Sequence, residues 1–468
     1  MAQLPVPRRP GPEPGLIDGA PYVIGDLPEA PRRVLAELLG AGHEAVLVGG
    51  CLRDLLRGEV PEDWDVATEA RPEQVTARFP GSAWENRFGT VTVPGEDPVE
   101  VTTYRAESGY SDRRRPDEVT FHSSLTDDLA RRDFTINAIA WLPDAPVAAA
   151  GRLVDPFGGL DDLREGWIRA VGDPGDRFAE DALRVLRGVR FGLRFGFRTE
   201  AETERALVDA VPATANLSAE RVRDELVRLL ADPRIVPSTA LGRWEAIGLL
   251  GALQPELARL RGVPQAKPRG GDALDHSLWT ADALPATDVP LRLAGLLHDL
   301  GKAATQADGH FIGHEVVGAN LAEAVLRRLR LGGRDIARVR QLVRQHMFGY
   351  DATWTDAAVR RFIRRVGDEA IDDLFALRGA DNAASGAEEP ATGGLDELRA
   401  RITAQASAPI ASRQLAITGH DLQAELGVSP GPIIGRLLDR LLESVIDDPA
   451  RNGRDQLLAA ARALLDER

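Results

Sequence analysis

A single cysteine, Cys51, stands in 468 residues, which excludes an internal disulfide framework and every cysteine-cluster metal site. Lysine is almost as scarce. Lys267 and Lys302 are the only two, and the other 55 basic residues are arginines. With abundant alanine and glycine, this reads as a codon-composition bias. An isolated arginine therefore carries little information, and an arginine at a fixed offset from a carboxylate carries more. No apolar run approaches the ~20 residues that span a bilayer. The opening stretch MAQLPVPRRPGPEPG also lacks the apolar region of a secretory signal. These absences lead to the expectation of a cytoplasmic protein with no membrane partner. Positive charge is short as well: 57 Lys plus Arg face 72 Asp plus Glu, a formal charge of −15. As a whole-chain number this argues against a nucleic-acid partner, which usually meets a basic footprint. Locally the balance reverses, because residues 182–199 hold five arginines and no acid. What is present, at 43% hydrophobic, suffices for sizeable cores.

The chain changes character along its length. Residues 1–22 are proline-rich and read as a flexible tail. From Pro31 a helix closed by glycine, a short apolar strand AVLVGG and a second helix LRDLLRG are followed by the β-branched runs WDVAT, GTVTVPG and VEVTTYR. The last two flank PGEDP, a turn signal, and predict a hairpin. Beyond DPFGGLDDL the period becomes helical, in AEDALRVLRGVRFGLRFG, AERVRDELVRLL and the segments after them. The loop 261–273 and the stretch ASGAEEPATGG (384–394) read as boundaries. The organisation expected is a tail (1–22), an α/β head (23–155), a helical neck (156–260), a helical unit (261–384) and a helical C-terminal tail domain (385–468).

Asp63 and Asp65 open a strand. Residues i and i+2 share a strand face, so their carboxylates converge, and two such groups repel unless a hard cation such as Mg²⁺ lies between them. An acidic surface turn would carry the same triplet. Upstream, Gly49 and Gly50 end a strand and open a helix, an arrangement that can hold phosphate on backbone N–H groups. Arg53 adds a charge within reach. Glu100, on the later strand, is a candidate third carboxylate.

Strand, Gly-Gly, helix and then paired aspartates resemble the DNA polymerase beta nucleotidyltransferase superfamily. The ordered segments LVGGCLRDLL, DWDVAT, RFGTVTV, VEVTTYR, YSDRRRPDEVTF, DLARRDFTINAIA, DPFGGLDDL, EDALRVLRGVRF and ERVRDEL are similar, in order and spacing, to the bacterial (class II) tRNA CCA-adding enzymes. The related bacterial poly(A) polymerases share most of this pattern. The resemblance covers about residues 30–260. It implies a polymerase beta-like α/β nucleotidyltransferase head followed by helical domains, with tRNA, CTP and ATP as partners and Mg²⁺ as cofactor. On this reading Asp63 and Asp65 hold the metal with Glu100 beside them, and Gly50 and Arg53 position the triphosphate. Arg132 meets phosphate and Asp133 accepts from the ribose 2′-hydroxyl, at the start of a helix DFTINAIA. Asp181 and Arg184, at i and i+3 on one helix face, would read the base edge. Arg187 and Arg190 continue that row toward triphosphate or RNA. The loop GYSDRRRPDEVTF stands where the family has a flexible loop associated with adding the final A.

A second constellation follows. His276, His298, Asp299, His314, His346 and Asp381 lie on predicted helices or their ends and include four of eight histidines. HDLGK after an apolar helix resembles the HD superfamily of metal-dependent phosphohydrolases, whose ligands suit Mn²⁺, Ni²⁺, Fe²⁺ or Mg²⁺. Packed histidines on a retained scaffold would give the same pattern. His420–Asp421 lies in a segment resembling the RNA-binding tail of the same enzymes, and Asp421 reads as a helix cap. The expected function is template-independent addition of CCA to tRNA 3′ ends. The rivals are A-only addition, poly(A) polymerisation, and an HD-type phosphohydrolase whose head only binds RNA.

Overall fold

The computed structural model describes residues 18–25, 27–84, 89–108, 118–121, 124–386 and 393–466. Most of the loop GYSDRRRPDEVTF and all but the end of the 1–22 tail lie outside these. The chain divides into two compact units, Met1–Pro255 and Glu256–Arg468.

The first unit is built on a mixed sheet. Its strands are β1 (Pro21–Val23), β2 (Ala45–Val48), β3 (Trp64–Thr68), β4 (Ala83–Trp84), β5 (Thr90–Val93) and β6 (Val99–Thr103), with a separate hairpin of β7 (Arg105–Ser108) and β8 (Glu118–Phe121), then β9 (Ala140–Pro143) and β10 (Ala150–Val154). The sheet order is β1-β10-β9-β2-β3-β6-β5-β4. All four residues of β2 are buried, as a central strand covered on both faces requires. The expected hairpin forms, with Thr90 opposite Thr102 and Val93 opposite Val99. β3 pairs β6 in parallel and sets Asp65 directly beside Glu100.

The segment DFTINAIA differs from the expectation of a helix. It makes one 3-10 turn, Thr135–Asn137, and then runs into β9 between β2 and β10. Ile136, Ile139 and Trp141 are all fully buried, and Trp141 pairs with both β2 and β10, so tertiary context overrides the local reading. Beyond β10 the unit is helical. The helix Leu183–Phe195 buries Val185, Leu186 and Val189, and ends on Gly196 in the left-handed conformation (φ 68°).

The second unit is helical, with two isolated β-bridges (Pro264–Asp272 and Ala307–His310) and no strand among the described residues. Its C-terminal core gathers Leu422, Leu437, Leu441, Val445 and Leu457. At the helix Gly419–Leu426 the N-cap is Thr418. Asp421 sits three residues on and accepts from the Thr418 backbone and hydroxyl, the reciprocal half of a capping box. No helix among the described residues is long and apolar enough to cross a membrane.

Candidate active site

A cavity of about 860 Å³ opens over the C-terminal side of β2 and the start of β3. Its acidic side is Asp63, Asp65 and Glu100. Among the described residues no side-chain hydrogen bond or ion pair engages these three carboxylates. Burial pushes the Asp65 carboxyl above the ordinary range and Asp63 adds to this, against the pull of Arg132. Glu100 is largely exposed, yet the protein around it and the neighbouring Asp65 and Asp63 push it up too. The charged forms of Asp65 and Glu100 are disfavoured, and with Asp63 on the same cavity wall they offer oxygen donors of the kind Mg²⁺ takes.

Gly49 is shaped by what faces it. Its φ is 75°, and a Cβ there would fall 2.7 Å from Arg132 Nη1 and 3.2 Å from Asp65 Oδ2. Only glycine lets the turn approach both groups. Arg132 is tethered to the Asn137 carbonyl and Asp128, while its buried Nε has no partner. The guanidinium as a whole lines the cavity wall beside Gly49. Arg53 is less available than expected. It is 5% exposed, bridged to Asp54 and to Asn137 Oδ1 at 2.7 Å, and packed against Phe191 and Phe195.

Asp133 is buried, with Oδ1 accepting from Phe134 N and Asn137 Nδ2 and Oδ2 accepting from Arg187 Nε at 2.7 Å. Burial opposes its ionisation, but Arg187 and the Asn137 bond hold the carboxyl at about 2. Oδ2 keeps one lone pair, enough for a hydroxyl. Asp181 and Arg184 do come together in this cavity, but they do not share a helix face. Asp181 is extended (φ −149°) between the helices Pro174–Glu180 and Leu183–Phe195, because its side chain takes the Leu183 N–H and breaks the helix there. Its oxygens also receive Arg221 Nη1 and Nη2 at 2.9 and 2.6 Å. Arg184 is held by Glu180, the Arg177 carbonyl and the Arg131 carbonyl. Its Nε–H and one Nη2–H stay free of these bonds. Arg190 lines the cavity and is paired with Glu225 Oε2 at 2.7 Å.

In the second unit His276, His298, Asp299, His314, His346 and Asp381 converge, each at most 8% exposed. His298, His314 and His346 each donate Nδ1–H to a backbone carbonyl, of Gly295, Phe311 and Val343, at 2.7–2.8 Å. This fixes the tautomer and turns Nε2 inward. His314 Nε2 lies 3.2 Å from His346 Nε2, and His298 Nε2 is buried without a hydrogen-bond partner. Ligand nitrogens oriented by carbonyls are the arrangement a divalent metal uses. Burial lowers His276 to about 4 and His346 to about 3, the neutral forms that ligation requires.

Residues 45–169 match the poly A polymerase head domain, 196–260 the "Probable RNA and SrmB-binding site of polymerase A", and 315–461 tRNA nucleotidyltransferase domain 2. The CCA-adding enzyme of Lactiplantibacillus plantarum is 33% identical over 94% of this chain and 97% of its own length. The chain belongs to the CCA-adding enzyme family. The crystal structure of the Bacillus stearothermophilus CCA-adding enzyme in complex with CTP is 28% identical, covers 93% of this chain and 97% of that one, and superposes with a TM-score of 0.68. The Thermotoga maritima CCA-adding enzyme complexed with tRNA, at 22% identity and a TM-score of 0.57, shares the fold. An α/β nucleotidyltransferase head followed by an all-α region is the architecture common to this family. The family matches cover no separate HD domain, and the match at 315–461 overlaps the region read as one.

Several residues of this family member were missed by sequence reasoning. Arg221 and Glu225 sit four apart on the helix Ala219–Ala231 and reach Asp181 and Arg190 respectively. The segment ERVRDEL carries both, and its i, i+4 spacing was the available signal. Asn137, which bonds both Arg53 and Asp133, had none.

Proposed function

We propose that the chain is a template-independent tRNA nucleotidyltransferase that adds C, C and A to the tRNA 3′ end, with Asp63 and Asp65 as the metal-holding carboxylates. The observation that carries the residue assignment is the meeting, in one cavity, of three carboxylates without protein cations and an arginine wall ending at Asp181 and Arg184. Bound Mg²⁺ would lower the pKa of the attacking 3′-hydroxyl and neutralise the leaving pyrophosphate. Asp63 and Asp65 hold it, with Glu100 beside them. Arg132 offers its guanidinium, which lines the cavity with Nη1 facing Gly49, to phosphate, with Gly50 at the helix start. Arg53, fixed by Asn137, contributes positive potential more than a contact. The free lone pair of Asp133 suits the ribose 2′-hydroxyl.

Base choice falls to Asp181 and Arg184. The carboxylate accepts from the exocyclic amine of cytosine or adenine, and the guanidinium donates to the adjacent ring nitrogen. Uracil and guanine present a carbonyl there, setting acceptor against acceptor, a mismatch that discriminates strongly. Because Arg221 and Glu180 already hold these groups, the edge is preorganised. Incubation with tRNA lacking CCA, tRNA ending in CC and an unrelated RNA, with labelled CTP and ATP, tests the reading. Extension of the first by three residues supports it. A-only extension of the second, or long A tails on the third, would overturn it in favour of an A-adding enzyme or a poly(A) polymerase.

The inward-facing imidazoles of His298, His314 and His346 favour a second reading beside the first. With Asp299, His276 and Asp381 they fit a Mn²⁺-, Ni²⁺- or Fe²⁺-type ion, which would polarise a phosphoryl oxygen for hydrolysis. Loss of metal-dependent phosphatase activity in Asp299→Ala, with nucleotide addition intact, is the expected result.

A further inference from the structure

Both lysines of this arginine-rich chain line one cavity, of about 540 Å³, over the histidine–aspartate cluster. Lys267 Nζ stands 2.6 Å from His276 Nε2 and 3.1 Å from Asp381 Oδ1. Lys302 Nζ stands 2.6 Å from Asp299 Oδ2 and 2.7 Å from Gln265 Oε1. Arg378 meets the other oxygen of Asp381 at 3.2 Å. In a chain that uses arginine nearly everywhere, these are two positions where arginine is not used. An ammonium is a compact point charge that fits between an imidazole nitrogen and a carboxylate oxygen, whereas a planar guanidinium is too broad.

The partners of Lys267 are a metal's partners. His276 Nε2 and Asp381 Oδ1 lie 3.0 Å apart, the spacing of two ligands on one cation. We propose that Lys267 is the resident cation of the His276–Asp381 edge, so that the pocket takes a single divalent ion at the edge formed by His298, Asp299, His314 and His346. This rests on reading the cluster as a divalent-metal site. At the second edge His314 Nε2 is 3.4 Å and His346 Nε2 3.8 Å from Asp299 Oδ1, and no lysine stands on that oxygen. The two edges are thus chemically unequal: Lys267 takes both the imidazole nitrogen and the carboxylate oxygen of the first, whereas Lys302 takes only Asp299 Oδ2 and leaves Oδ1 facing His314 and His346 for an ion.

The test uses the full chain carrying Asp63→Asn and Asp65→Asn to silence the head site. The protein is stripped with chelator and titrated with Mn²⁺, and bound ions are counted by elemental analysis and electron paramagnetic resonance. One ion per chain is expected, giving an isolated six-line signal, and Asp299→Asn should remove it. Lys267→Met should bind two, with an exchange-coupled spectrum, and adding Asp381→Asn should return the count to one. Lys267→Gln serves as the second variant if the first fails to fold. Two ions with Lys267 present, or one ion in a folded Lys267→Met or Lys267→Gln chain, would overturn the role of Lys267 and leave the metal site standing. No ion in any form would overturn the metal reading itself.

Discussion

The cavity over β2 and β3 and the histidine–aspartate pocket both gather carboxylates, but they neutralise them differently. In the first, Asp63, Asp65 and Glu100 have no ion-pair partner among the described residues, while arginines nearby are committed to other acids: Arg187 to Asp133, Arg190 to Glu225 and Arg221 to Asp181. In the second, Asp299 and Asp381 each have a lysine ammonium. The first site therefore holds carboxylates whose charged forms burial disfavours at Asp65 and Glu100, and an external cation relieves that cost. The second is largely balanced by its own chain. A site that must cycle metal-bound triphosphates gains from leaving its charge unpaid, and a balanced site can keep its shape without ligand.

Four experiments sharpen or break this contrast. The largest effect is expected at Asp65. Asp65→Asn should lower nucleotide addition by about a thousandfold or more while raising the melting temperature of the metal-free protein at neutral pH. The native carboxyl is pushed up, so its contribution to stability is present below the carboxylate range and is lost as pH rises through it. The variant's advantage should vanish at low pH and on adding Mg²⁺ to the wild type. Equal melting temperatures at all pH values would count against a carboxylate held at a cost by its burial. Next is the buried pair. Glu225→Ala strands the Arg190 guanidinium and should destabilise the first unit by roughly 3 kcal/mol, read by urea denaturation, with the second unit's transition unmoved. A smaller and more selective change is expected from Asp181→Asn, which puts an amide donor where uracil offers a carbonyl. UMP incorporation relative to CMP should rise by about tenfold to a hundredfold with little change in melting temperature. Smallest for nucleotide addition is Asp299→Ala, which should abolish divalent binding in the second unit and leave CCA addition within about twofold; a large loss of addition would break the separation of the two sites.

Much of this was legible in the sequence where the determinant is local. The β-branched runs around PGEDP marked the hairpin of β5 and β6; Asp63 and Asp65 both line the cavity, although Asp63 precedes β3, which begins at Trp64. Gly49–Gly50 marked the turn that only glycine can make beside Arg132. Legibility failed where distant residues decide. The pairing of Arg190 with Glu225, 35 residues on, is invisible to a local reading. Asp181 and Arg184 line one cavity but not one helix face, because the Asp181 side chain captures Leu183 N–H and stops the helix from running through. DFTINAIA failed because burial between β2 and β10 outweighs its helical composition. The lysine count was plain from the start, yet only the fold shows that both lysines reach one pocket.

The central claim is that protein groups alone choose C, C and A. Sequencing the products made on tRNA lacking CCA, with all four nucleoside triphosphates and Mg²⁺ present, tests it most directly. The account expects every product to end in CCA and stop there. Products carrying U or G, or tails of A without a fixed length, would contradict it.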